Sequence, residues 1–486
     1  MSRVGVFRSH NKVGETHTFQ TIQWSGTSGA GNASHIGIKF KEELKSNKKR
    51  LHWDTGVVNN STWSTTHDYS NLTGGYITSN PNVNQDYINV NAIRYYTDYG
   101  VPNVPKAFTL RTNRLSDLTS FTANYGGYST MLYGHLDLTK WTSLGDTFYM
   151  SSQTGLNKVT FPTSSVPFED FQIIHSHSSP GGSLVMENLD LSGLKLGGVF
   201  DIHKEFNLSG ITHGYSDEVF TSYKVRRCTN IETLDLTMFP NLGGVFKIGG
   251  DDYFPRSNTK TILHTASPQI FTSYDTRFTK LAGNHDVSML TLSGLFATTY
   301  TWSYGAIPPL TGITHGYSPH NITTYLINHN DIRGNHDLSM LLLGSEEAKL
   351  NEANAGKFYA YYNPLMTGIT HTYTPYHIKD YRVNNAHVGT NILYPEGTKV
   401  GLGLMGEHDM TWVSNLSGTF DLSSNKNLTN VSHTASTSSY PLTYYDISNC
   451  DITGVYDMTW NTKLGGRFRI FSNKNLTNIT HTETTP

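Results

Sequence analysis

Cysteine is nearly absent from this chain: Cys228 and Cys450 are the two in 486 residues. A pair so far apart in sequence makes no disulfide framework. Charge is scarce as well, with 15% charged residues and a net charge of -2. So even a balance leaves no electrostatic footprint for nucleic acid. No apolar run reaches the roughly eighteen residues of a membrane-spanning helix. The N-terminal MSRVGVFRSHNKVGETHTF has no apolar core of signal-peptide length, so the expectation is synthesis in a cytoplasm and no secretory signal. Phosphate-loop, H-E-x-x-H and G-x-S-x-G strings are missing too. In their place stand 44 Gly and 29 Tyr against only 36% hydrophobic residues, a mixture suited to short strands joined by tight turns.

Two landmarks recur. One is a segment ending in Thr-His or a variant of it, at His175, His213, His264, His315, His371, His433 and His481. The other is G-x-x-D-[LVM]-[ST], with Asp137, Asp235, Asp286, Asp337, Asp409 and Asp457, and a looser form at Asp190. The steps from 213 to 264 and 264 to 315 are both 51, as are those from 235 to 286 and 286 to 337. In the last units both landmarks step by 48, from 433 to 481 and from 409 to 457. Two independent landmarks sharing one period define a repeat. The period then halves, because Asp421, Asp446 and Arg469 occupy equivalent strand centres at steps of 25 and 23.

Each half-unit resembles the leucine-rich-repeat consensus L-x-L-x-x-N/C-x-L. FDLSSNKNL carries Asn425 at the N/C position, YDISNCDI carries Cys450, YKVRRCTNI carries Cys228, YLINHNDI carries Asn330 and YRVNNAHV carries Ala386. What the resemblance implies is an all-β, leucine-rich-repeat-like β-solenoid over residues 126–486. A single rung cannot bury its own apolar face, so rungs must stack, and an inward Asn or Cys satisfies backbone groups at each bend. The GNHDLSM and GVYDMTW segments predict a second strand opposite the first on alternate rungs. Insertions are expected near 343–357 and 388–404. Residues 1–125 lack the repeat and read as a small β-rich N-terminal domain, the natural attachment point to something larger.

Repetition also weighs on the candidate chemistry. Equivalent histidines would lie about two rungs, or roughly 10 Å, apart, too far to share a zinc ion. They read as ladder or turn residues bonding adjacent backbone. The same spacing demotes His285, His336 and His408 as metal ligands. Asp235, Asp286, Asp337, Asp409 and Asp457 read as turn caps rather than glycosidase carboxylates, since no pair is distinguished from the others. No catalytic, cofactor-binding or metal-binding residue is assigned, and no enzyme activity is expected. The aromatics remain. Tyr317 and Tyr373 share one frame position, and Trp412 and Trp460 another. They form either an exposed recognition surface or stacks that stiffen the rod.

A repetitive Gly/Asn/Thr/Tyr-rich solenoid without a signal and behind a different N-terminal domain resembles bacteriophage tail-fibre architecture. That resemblance implies a virion appendage protein that recognises a host-surface glycan or protein and is held to other virion proteins through its N-terminal domain. A homo-oligomer or another partner would cover the C-terminal rung. The alternatives are a bacterial leucine-rich-repeat interaction scaffold and a polysaccharide-cleaving β-solenoid.

Overall fold

The computed structural model describes side chains for residues 138–139, 144–151, 158–174, 187–250, 257–299, 310–344, 356–385, 403–438 and 440–482, and backbone alone for the strands of residues 23–137 and 155–157. No helix occurs among the described residues. Two compact units divide at Glu218 and Val219. The insertion expected near 388–404 lies largely outside the described residues, as does Ala386.

In the first unit a parallel ladder runs through Val90–Thr97, Ser120–Tyr125, Asp146–Ser151, Pro167–Ile174 and Lys195–His203. It thus takes in two strands from the span that the sequence assigns to a separate domain. His35–Phe40 joins Val90–Thr97 antiparallel. Facing inward, Phe148, Phe171 and Phe200 stack with centroids 4.9 and 5.4 Å apart.

The second unit is the more regular. Its main sheet is parallel throughout and starts with Phe220–Arg226, Gly244–Gly249, Ile270–Asp275, Thr291–Ala297 and Ser318–Leu326. Ser318–Leu326 then pairs with both Leu341–Leu343 and Gly356–Tyr359, which are the two halves of one rung's strand. The expected insertion near 343–357 therefore interrupts a main strand. Beyond it come Thr374–Arg382, Val413–Asp421, Leu442–Asp446 and Leu464–Arg469.

A second, back strand belongs to every rung, not to alternate ones as the sequence pattern predicts. Back strands pair in twos: Thr233–Asp235 with Thr261–Leu263, Gly283–Val287 with Leu310–His315, Gly334–Leu338 with Met366–His371, Met405–Met410 with Asn427–His433, and Gly454–Asp457 with Leu476–Thr480. Each rung of this unit thus carries a strand at both its front and its back.

The main strands bend where glycine permits it. Gly244, Gly294 and Gly418 have φ of 67°, 62° and 62°, each at a shift in strand pairing. A Cβ at any of them would collide with the carbonyl oxygen of Thr221, Thr272 or Lys379 in the preceding rung. After seven of the main strands a second left-handed position falls on Arg227, Phe278, His329, Tyr362, Ser424, Asn449 and Ser472. Such conformations cost non-glycine residues on the order of 1–3 kcal/mol. Inter-rung backbone bonds such as Tyr362 N to Asn384 O and Ser424 N to Ser448 O, at 3.0 and 2.9 Å, hold them there.

The next position is the Asn/Cys position read from the sequence. Asn425 Nδ2 donates to the carbonyls of Val383 (2.8 Å) and Leu422 (2.6 Å), one in the preceding rung and one in its own. Asn330, Asn363 and Asn473 each repeat this two-carbonyl arrangement. The Cys450 thiol donates more weakly to Leu422 O and Ser448 O, at 3.4 and 3.5 Å. Both cysteines are buried and free. Asn425→Ala strands two buried carbonyls, and chemical denaturation is expected to show a loss of about 2 kcal/mol.

Candidate functional site

One inward main-strand position of the second unit always carries a ring, and Tyr alternates with Phe. The order is Tyr223, Phe246, Tyr274, Phe296, Tyr325, Phe358, Tyr381, Phe420, Tyr445 and Phe468. Consecutive rings stack with centroids 4.7–5.8 Å apart. A tyrosine in a dry core must place its hydroxyl, and histidines from the back strands receive it. Tyr274 Oη lies 2.9 Å from His264 Nε2 and 2.7 Å from His285 Nε2. Tyr325 likewise joins His315 and His336 at 2.8 and 2.6 Å. Tyr381 joins His371 and His408 at 3.0 and 2.9 Å. Tyr445 joins His433 at 3.1 Å, with the hydroxyl of Tyr456 in the second place.

The hydroxyl has one proton. At Tyr274, Tyr325 and Tyr381 it therefore donates to one imidazole and accepts from the Nε2–H of the other, so each of these three bridges contains two different tautomers. Phe rungs meet the same histidines edge-on, as Phe296 meets His315 at 5.0 Å and 72°. His481 meets the backbone carbonyl of Thr482, and His175 lies outside the described residues. From His264 to His433 the histidine row is thus a side-chain network across the core rather than the backbone-bonding row expected from sequence. Its physical mark is neutrality. Burial holds His264 down at about 3 and His285, His336 and His408 at about 4; Asp286, Asp337 and Asp409 partly oppose it beside the latter three. Burial likewise depresses His315, His371 and His433 well below the usual range.

The aspartate row is spent in turns. Asp190, Asp235, Asp286, Asp337, Asp409 and Asp457 each accept from the backbone N–H two residues on, at 2.8–3.0 Å. Among the described residues no three His, Cys, Asp or Glu side chains converge to hold a metal ion.

The four aromatic candidates separate. Tyr317 and Tyr373 project at the corner after the back strand, 70% and 61% exposed. Trp412 is only 6% exposed. Its indole stacks on His371 with centroids 3.9 Å apart, and Trp460 stacks on His433 at 3.8 Å. The tryptophans therefore close the core over the last two histidine bridges instead of presenting a surface. Sequence reasoning missed a further group: Tyr359, Tyr361 and Tyr362 gather beside His329. Tyr359 Oη donates to Asp380 at 2.9 Å, and the Arg382 guanidinium lies 5.2 Å from the Tyr359 ring centroid. The signal was the run FYAYYNP, which sits directly after the insertion that breaks the repeat frame.

Two measurements check the bridge. Tyr325→Phe leaves two histidines short of a partner, and is expected to cost about 1–3 kcal/mol in chemical denaturation. Because the histidines are neutral when folded but titrate near 6.5 when unfolded, the unfolded chain takes up protons first. Their contribution is full above about pH 6.5 and is lost progressively toward pH 4, at about 1.4 kcal/mol per unit for each group. The denaturation midpoint should therefore fall steeply over that window. Comparisons of the chain with protein-family models, curated proteins and solved structures gave no match.

Proposed function

We propose that this protein is a recognition arm of a tailed-bacteriophage virion, a fibre-like appendage whose solenoid presents side chains to a host surface. The observation that carries the reading is the pair Tyr317 and Tyr373, strongly exposed at equivalent positions on a scaffold whose core tyrosines bond its core histidines. Two rungs separate successive pairs of the repeat, so equivalent tyrosines recur at roughly 10 Å, a spacing suited to a repetitive ligand. Tyrosine gives wide contact area at small entropic cost. The engagement of each G-x-x-D aspartate in its own turn favours binding over polysaccharide cleavage. In this reading residues 1–125 attach the arm to other virion proteins.

Mass spectrometry and antibody-labelled electron microscopy of purified particles should find the protein on the virion, and its absence there would refute the assignment. The purified protein should adhere to host cells. Replacing Tyr317 and Tyr373 together by alanine should weaken adhesion about tenfold while shifting stability by no more than about 0.5 kcal/mol, as expected for exposed positions.

A further inference from the structure

The corner that carries Tyr317 and Tyr373 is a continuous apolar ridge rather than two separate rings. Val287 pairs with His315 and Leu338 with His371, which sets Met289 beside Tyr317 and Met340 beside Tyr373 two residues on. Between those two pairs of back strands, Ser318 lies beside Leu341 and its N–H donates to Met340 O at 3.0 Å, so Tyr317 also neighbours Met340. Four consecutive rungs thus present Met289, Tyr317, Met340 and Tyr373, about 4.8 Å apart. Met289 is half-buried, whereas Met340 is 50% exposed between tyrosines at 70% and 61%. The exposed Pro319 and Pro375 follow two residues after the tyrosines. Trp412 comes next in line, turns into the core and ends the ridge.

Carboxylates border it. Asp286 and Asp337 stand three residues before Met289 and Met340; both are exposed, and their strand partners are Thr314 and Thr370. One oxygen of each accepts the N–H of Ser288 or Ser339 at 2.9 Å. Bonds from these serines hold both carboxyls below the usual range, so both are charged at neutral pH. Among the described residues neither forms an ion pair with lysine or arginine. The adjacent His285 and His336 are neutral.

A contiguous exposed apolar row marks a contact surface, and its chemistry narrows the partner. Methionine offers a sugar hydroxyl only a weak acceptor, so the interval between the tyrosines is poorly matched to a glycan. A lysine or arginine side chain matches each part. Its methylene stem packs on the thioethers, and its cationic head is drawn to the phenol faces and to the unpaired carboxylates.

We propose that Met289, Tyr317, Met340 and Tyr373, with Asp286 and Asp337 along their edge, dock a protein segment rich in basic and apolar side chains. The surface rests on the recognition role proposed above and names the class of partner that the two tyrosines meet.

The test exposes the full chain to arrayed synthetic peptides graded from acidic to basic at matched apolar content, and to arrayed neutral oligosaccharides. Basic peptides should be retained, and the best of them is then titrated by calorimetry at rising salt, which should weaken it. Replacing both aspartates, Asp286→Asn with Asp337→Asn, should weaken it several-fold and flatten the salt dependence. Asparagine keeps the turn bond and removes only the charge. Met340→Ala should also weaken binding several-fold. Thermal melting identifies any variant that fails to fold, and the salt titration of the unmodified chain needs no variant. Retention of no basic peptide, retention of saccharides in their place, or binding that neither salt nor the aspartate pair affects would overturn the assigned partner. If the protein still adheres to host cells in that case, the recognition role stands and only the partner class falls. Absence of the protein from particles together with failure to adhere removes the recognition role itself, and this assignment with it.

Discussion

A buried phenol hydroxyl needs partners, and the second unit is arranged around supplying them. The strands of a main sheet lie about 4.8 Å apart, so one inward position per rung stacks a ring directly on its neighbour. Phenylalanine alone would fill that column. With tyrosine in every second place, each hydroxyl reaches the back of the rung and has to be satisfied there. Tyr274, Tyr325 and Tyr381 each meet a histidine from the back strand of their own rung and one from the neighbouring rung, and at Tyr445 the own-rung place is taken by Tyr456.

That sharing compensates for the way the back strands are joined. They form parallel ladders only within pairs. Between pairs, among the described residues, backbone bonds run from the segment leading into one strand to the first residues of the strand before it, as in Asp331 N to Leu310 O and Arg333 N to Thr311 O. The His–Tyr–His bridge ties the strands themselves. Tyr325, for example, connects His315, which ends one pair, to His336 in the next. The front of the unit is continuous through its backbone, and the back is continuous through its side chains. The network also explains why so many histidines can be buried without acid groups bonded to them: each stays neutral and places its Nε2 against a neutral hydroxyl.

Much of this was legible in the sequence. The doubled period, the inward Asn or Cys and the capping aspartate could all be read, because each is a short string whose residue type is dictated locally by a turn. The alternation of rings was equally present, since Phe420, Tyr445 and Phe468 immediately precede the strand centres Asp421, Asp446 and Arg469. Its meaning was hidden because the partner histidines come from other strands, and no local pattern says which side chains meet across a core. Trp412 and Trp460 show the same limit. An aromatic at a repeated turn reads equally as surface or as a stiffening stack until a histidine ring is found beneath it. The tyrosines at 359–362 escaped notice because they follow an insertion, where the frame that organised the rest is lost.

The alternation of Tyr and Phe also sets the unit of inheritance. Removing a single rung would bring two tyrosines, or two phenylalanines, face to face and leave a hydroxyl or a histidine unanswered; removing two restores the order. A gene encoding this scaffold can therefore lengthen or shorten by whole pairs far more readily than by single rungs. The fifty-residue spacing is the smallest duplication that the core accepts without repair.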